Sequence, residues 1–170
     1  MKGLRILAAI AAFAALGLAQ PPNPSASTKE AFNRIKSLAG EWEGSMNEGR
    51  EQMPATTSFR VVSDGSAVMN ILGAGTPHEM VTMFHLDGRD LMATHYCAAH
   101  NQPRFVMAPT SEPNVIDFKF KDATNLASPT ALHMINVTFT FLDANHHVQD
   151  WTAIENGHSH TARFEFHRKL

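Results

Sequence analysis

The stretch THYCAAHNQPRF, residues 94–105, concentrates reactive side-chain types within a 170-residue chain. It holds the only cysteine, Cys97, together with His95, His100, Asn101, Gln102 and Arg104. A thiolate held near an imidazole or a guanidinium is a nucleophile. Imidazole nitrogen and thiolate together suit zinc or copper. A single axial histidine or thiolate suits haem. Two further imidazoles, His158 and His160, stand at i and i+2, the spacing that puts both on one face of a strand. His133 opens another run of alternating apolar residues. The chain has no Cys-x-x-Cys, His-Glu-x-x-His or Gly-x-Ser-x-Gly motif, the compact signatures of zinc sites and serine elbows. A lone buried cysteine is more often a small apolar filler than a reagent.

Strands must position these groups. From Glu41 onward the hydrophobic pattern has period two, in ten segments broken by turn signals such as SDG, DAN and ENG. Almost all the links are hairpin-length, so consecutive segments pair as antiparallel neighbours. Closing such a sheet removes its two free edges. The expected fold is therefore all-β, a ten-stranded antiparallel up-and-down barrel, with a β-sandwich as the runner-up. Ahead of it, Phe32, Ile35 and Leu38 recur at three-residue steps after a Ser27/Glu30 capping box, and Gly40 ends the run. This predicts a short helix over residues 28–39 with one apolar stripe to bury.

An up-and-down order decides which residues meet. If the first strand starts at the closed end, every odd strand ends at the opposite mouth and every even strand starts there. His78, His95, Cys97, His100, Arg104, His133, His158 and His160 then share one rim. His85, His146, His147 and His167 fall toward the other end. His158 and His160 are in phase with Ala162, Phe164 and Phe166, and His133 with Ile135 and Val137, so all three should face inward. His95 and Cys97 follow the phase of Leu91 and Ala93. Arg104 shares the phase of Val106, and Trp151 that of Gln149 and Glu155.

The N-terminus reads as an address. Lys2 and Arg5 precede an apolar run from Ile6 to Ala19, and small residues at Gly17 and Ala19 suit a signal peptidase. The reading is a secretory signal peptide over 1–19, a Pro-rich tether over 20–27 and a single domain over 28–170, secreted or periplasmic. The apolar run is shorter than the ~20 residues of a spanning helix, so no membrane span is expected. One cysteine excludes an internal disulfide. The formal charge of −2 gives no basic surplus for nucleic acid.

The segment LAGEWEG, residues 38–44, resembles the opening strand of the calycins, the lipocalin and fatty-acid-binding group: a short helix, then Gly-x-Trp, here Gly40 and Trp42. The resemblance implies that Trp42 packs at the closed end against a basic residue of the last strand, Arg168 here. It also implies a lumen that holds a small apolar or amphipathic molecule. The functional expectation is a binding barrel whose mouth residues His95, Cys97, Arg104, His133, His158 and His160, with Trp151, hold the ligand. The alternatives are a zinc, copper or haem protein using His158, His160, His133, His95 and Cys97, and a small hydrolase or isomerase with Cys97 or a histidine as catalytic group. Binding is favoured over turnover, because no catalytic motif is present.

Overall fold

A computed structural model describes residues 25–49 and 51–169. The expected signal peptide and most of the tether lie outside these residues. The described chain is one helix, α1 (Ala26–Ser37), a single 3-10 turn at Ser63–Gly65, and ten strands. The strands are β1 (Gly40–Glu48), β2 (Glu51–Val62), β3 (Ala67–Leu72), β4 (Met80–Asp87) and β5 (Asp90–Tyr96). They continue as β6 (Gln102–Ala108), β7 (Val115–Thr124), β8 (His133–Phe141), β9 (His146–Glu155) and β10 (His158–Arg168). Each strand pairs antiparallel with its sequence neighbours, and β1 pairs with β10. The result is the closed up-and-down barrel that the alternation predicts; no sandwich forms.

The helix starts earlier than its sequence signal suggests. Ser25, not Ser27, is the N-cap: its hydroxyl accepts the Thr28 amide at 3.1 Å, relieving one of the unpaired amides at a helix start. The apolar stripe Ala31, Phe32, Ile35 and Leu38 joins the barrel core. Because α1 leads directly into β1, it closes the end of the barrel where β1 begins. No helix among the described residues is long and apolar enough to cross a membrane.

The expected Trp42–Arg168 contact is present. The two residues are opposite each other on β1 and β10, and the guanidinium lies 4.2 Å from the indole centroid. Arg168 donates to the Ala39 carbonyl at 2.8 Å and the Ser37 carbonyl at 3.0 Å. The indole Nε1 donates to the Leu38 carbonyl at 2.7 Å. One arginine thus ties the end of α1 to the last strand. The close approach requires glycine: a Cβ at Gly40 would lie 2.8 Å from the Arg168 guanidinium, at a φ of +134° that side chains disfavour.

Above this closure the lumen is filled by rings. Phe84 lies 5.6 Å from both Phe118 and Phe139, and Phe59 lies 6.4 Å from Phe139. These are edge-to-face and tilted separations that aromatic quadrupoles favour. His147 joins the packing, with its ring 4.4 Å from Trp42 and nearly perpendicular to it.

Candidate functional site

The opposite end is open. A cavity of about 720 Å³ enters the mouth between β1–β4 and β8–β10. Its walls carry Met46, Met53, Met80, Met134, Trp151 and Phe164, and its polar groups include Glu48, His78 and His160. Met46 and Met53 are opposite on β1 and β2, and Leu72 and Met80 on β3 and β4. The space exists because β9 and β10 place Ala153 and Ala162, both on the cavity wall, where the lumen phase lower down carries aromatics. Unbranched methionines around a void make an adaptable apolar surface.

The predicted rim residues separate into three groups. His160 and Trp151 line the cavity, and His78 joins them from the turn before β4. His160 Nε2 sits 3.5 Å from Glu48 Oε1 at the entrance. His158 is exposed two residues nearer the turn and does not line the cavity.

His95 lies beneath the cavity. Its ring is 4.6 Å from that of Trp151, which reaches it from β9, so these two rings meet within the lumen. The imidazole is 1% exposed. Its Nδ1 is 2.8 Å from Thr82 Oγ1, and its Nε2 has no hydrogen-bond partner. Burial alone pushes its pKa down to about 4, because a charged imidazole would lose its hydration.

The other three predicted residues are not on the cavity wall. Arg104 points away from the lumen, the position that Phe105 takes instead. Its guanidinium forms a two-pronged ion pair with Asp122 on the barrel surface at 2.5 and 2.7 Å. The phase of Val106, which Arg104 shares, is the outer one. His133 also departs from expectation. A register shift between Met134 and Asn136 breaks the two-residue phase of β8. Met134, opposite Ala153, therefore takes the lumen position. His133 is buried beside Phe120, 5.0 Å ring to ring, with Nδ1 2.7 Å from the Ala131 carbonyl. Cys97 is half-buried just past β5. Burial pushes its thiol pKa up, the wrong direction for a nucleophile, and His95 Nε2 makes no bond to it.

The remaining polar residues of this stretch hold loops together. Cys97 donates its amide to the Asn101 carbonyl at 3.1 Å. Asn101 donates its side-chain amide to the Leu132 carbonyl at 2.8 Å. Thr124 donates to the Gln102 side chain at 2.8 Å, and Asn125 donates to the His100 carbonyl. The β5–β6 turn is thereby fastened to the β7–β8 connection. Among the described residues, no three His, Cys, Asp or Glu side chains are grouped so as to hold a metal ion.

Four buried polar residues of the lumen were not anticipated as site residues. Trp151 Nε1 donates to Gln149 Oε1 at 2.9 Å, and Gln149 Nε2 lies 3.1 Å from His147 Nε2. Since the Gln149 oxygen already accepts, its amide donates to His147. Burial first, and the Arg168 charge second, lower the His147 pKa to about 3. Asn70 and Thr82 are the other two, opposite each other on β3 and β4. Their sequence signal is a polar residue in an apolar phase, as in Val68-Asn70-Leu72.

The fold has solved counterparts. The chain is similar to Rv2717c from M. tuberculosis at a TM-score of 0.55 and 15% identity, over 82% of this chain and 98% of that one. It is also similar to a protein of unknown function from the DUF3598 family of Nostoc punctiforme PCC 73102. That match has a TM-score of 0.52 and 10% identity, over 80% of this chain and 49% of the other. The likeness is one of fold. No protein-family model matches the chain, and no curated protein does.

Proposed function

We propose that this chain is a secreted, calycin-like binding barrel whose mouth cavity takes one small, mostly apolar molecule. The observation that carries this reading is the cavity itself. It has about 720 Å³ of space, apolar walls and polar groups at its entrance, the form usual for small-molecule sites. The Trp42–Arg168 closure adds the contact that the calycin resemblance implies. The expected signal peptide would deliver the barrel to the periplasm or the medium. His160 and Glu48 stand where the outer end of the ligand would emerge.

Titration with N-phenyl-1-naphthylamine, an uncharged probe that fluoresces in apolar surroundings, tests the reading. Wild type should bind it saturably at one site. Ala153→Trp, which fills the void, should abolish the signal while the barrel stays folded. Equal binding by both proteins would place the probe elsewhere and remove the support.

A haem reading retains one specific support. His160 is an imidazole on the cavity wall, and one axial nitrogen suffices for haem. A four-ligand zinc or copper site has no comparable grouping among the described residues. Reconstitution with haem should give a Soret band lost in His160→Ala if that reading holds; an unchanged band would rule out His160 as the ligand.

A further inference from the structure

Beneath the cavity lie polar atoms that the protein leaves without partners. Asn70, Thr82 and His95 are consecutive cross-strand neighbours in the lumen phase of β3, β4 and β5, and all three are buried. Asn70 directs its amide at Thr57 Oγ1, 2.6 Å away, and at the Ser58 carbonyl, 3.0 Å away. Its Oδ1 accepts nothing, and neither does His95 Nε2 have a partner. A buried polar atom left unpaired costs about 1–3 kcal/mol. Two in a single row call for a reason.

The chemistry of the row follows from its hydrogen bonds. The Thr82 hydroxyl has one contact, His95 Nδ1 at 2.8 Å. If Nδ1 carried the hydrogen, the hydroxyl hydrogen would itself be stranded. The hydroxyl therefore donates to Nδ1, and the ring hydrogen sits on Nε2. The row thus presents one N–H donor, on His95, and one carbonyl acceptor, on Asn70. Among the described residues, no Lys, Arg, Asp or Glu is buried, so no buried charge would compensate an ionised group.

The row also adjoins the cavity. Leu72 and Met80 form a facing pair on the cavity wall, and Asn70 and Thr82 are the next lumen-facing pair below them. Trp151 lines the cavity and packs on the His95 ring.

We propose that His95 Nε2 and Asn70 Oδ1 form an inner subsite for a neutral group that both accepts and donates a hydrogen bond. A hydroxyl, a carboxamide or an un-ionised carboxyl meets that requirement. The inference rests on the binding reading above and sharpens its ligand class: an apolar body with an uncharged polar group leading inward. The imidazole N–H donates to the ligand oxygen, and the Asn70 carbonyl accepts the ligand hydrogen. The Trp151 indole, touching both the cavity and the imidazole, shifts to admit the group.

The test compares 1-decanol with its methyl ether, which keeps the acceptor and loses the donor. In displacement of N-phenyl-1-naphthylamine from wild type, the alcohol should act at a concentration at least tenfold lower. His95→Phe and Asn70→Leu should bring that ratio, taken within each protein, close to one. His95→Gln, which restores an N–H donor, should recover part of the preference. In protein labelled with 15N-histidine, the His95 Nε2–H resonance should move on addition of decanol. A ratio that is the same in wild type and variants overturns the subsite, as does a His95 resonance unmoved while the probe is displaced; the floor then holds a buried water only. If the probe fails to bind wild type, the cavity reading fails by itself. The His95 resonance under decanol then still decides the subsite, and an unmoved signal overturns it.

Discussion

At the closed end, the lumen phase of β1, β9 and β10 carries Trp42, His147 and Phe166, with Phe166 5.3 Å from the His147 ring and Arg168 covering Trp42. At the mouth, the same phase of the same three strands carries Met46, Ala153 and Ala162 around about 720 Å³ of open space. Both ends obey one alternation, and only side-chain volume and stiffness differ. Rings that interlock leave no room for a ligand and fix the barrel's geometry. Two alanines and four flexible thioethers leave a space without lengthening any strand. On the proposed reading, stability and binding fall to opposite ends of one sheet.

The largest expected effect tests that division at the closed end. Trp42→Ala removes the indole, its bond to Leu38 and its contacts with His147 and Arg168. It should cost about 4 kcal/mol in denaturant unfolding, the scale for a large buried ring. Met80→Leu at the mouth should cost less than ~1.5 kcal/mol, as volume-conserving swaps do. Similar losses at the two sites would erase the contrast.

Acid supplies the next largest. His95 and His147 are held neutral, with pKa values lowered to about 4 and about 3. The unfolded chain binds these protons more readily, near pH 6.5. Their contribution is therefore fully present above pH 6.5, falls as pH drops below it, and is gone once pH passes the folded values. For His95 the difference amounts to about 3 kcal/mol. Unfolding free energies measured from pH 7 to pH 4 should decline steeply in wild type and less steeply in His95→Phe. A parallel decline in both proteins would contradict the assigned neutrality.

A third expectation concerns Cys97. Its burial and raised thiol pKa should make iodoacetamide labelling at pH 7.5 several-fold slower than that of an unfolded control. Labelling faster than the control would revive the nucleophile. The smallest effect belongs to Arg104→Ala. This exposed ion pair with Asp122 should contribute under ~1 kcal/mol and leave probe binding unchanged.

The fold was legible because its determinants are local. Strand alternation and short turns specify an up-and-down order, and that order sends His78 and His160 to one mouth. The Arg168 partner of Trp42 was legible through strand phase together with the calycin resemblance. Phase failed where geometry is not periodic. The bulge at Met134–Asn136 put Met134, rather than His133, on the cavity wall. Arg104 followed the wrong face because Val106 is an apolar residue on the outer surface. The buried row of Asn70, Thr82 and His95 was legible only in part. Sequence places each residue in its strand, but the missing partners of Asn70 Oδ1 and His95 Nε2 depend on where the neighbouring side chains end.

The most direct measurement uses the methionine methyl groups as reporters. In protein carrying 13C-methyl methionine, N-phenyl-1-naphthylamine should shift the signals of Met46, Met53, Met80 and Met134, which line the cavity. Met69 and Met83, opposite each other on β3 and β4 and outside the lumen phase, should stay in place. Shifts confined to the four cavity methyls would establish the mouth as the binding site. Shifts at Met69 and Met83 with the cavity four unmoved would contradict it.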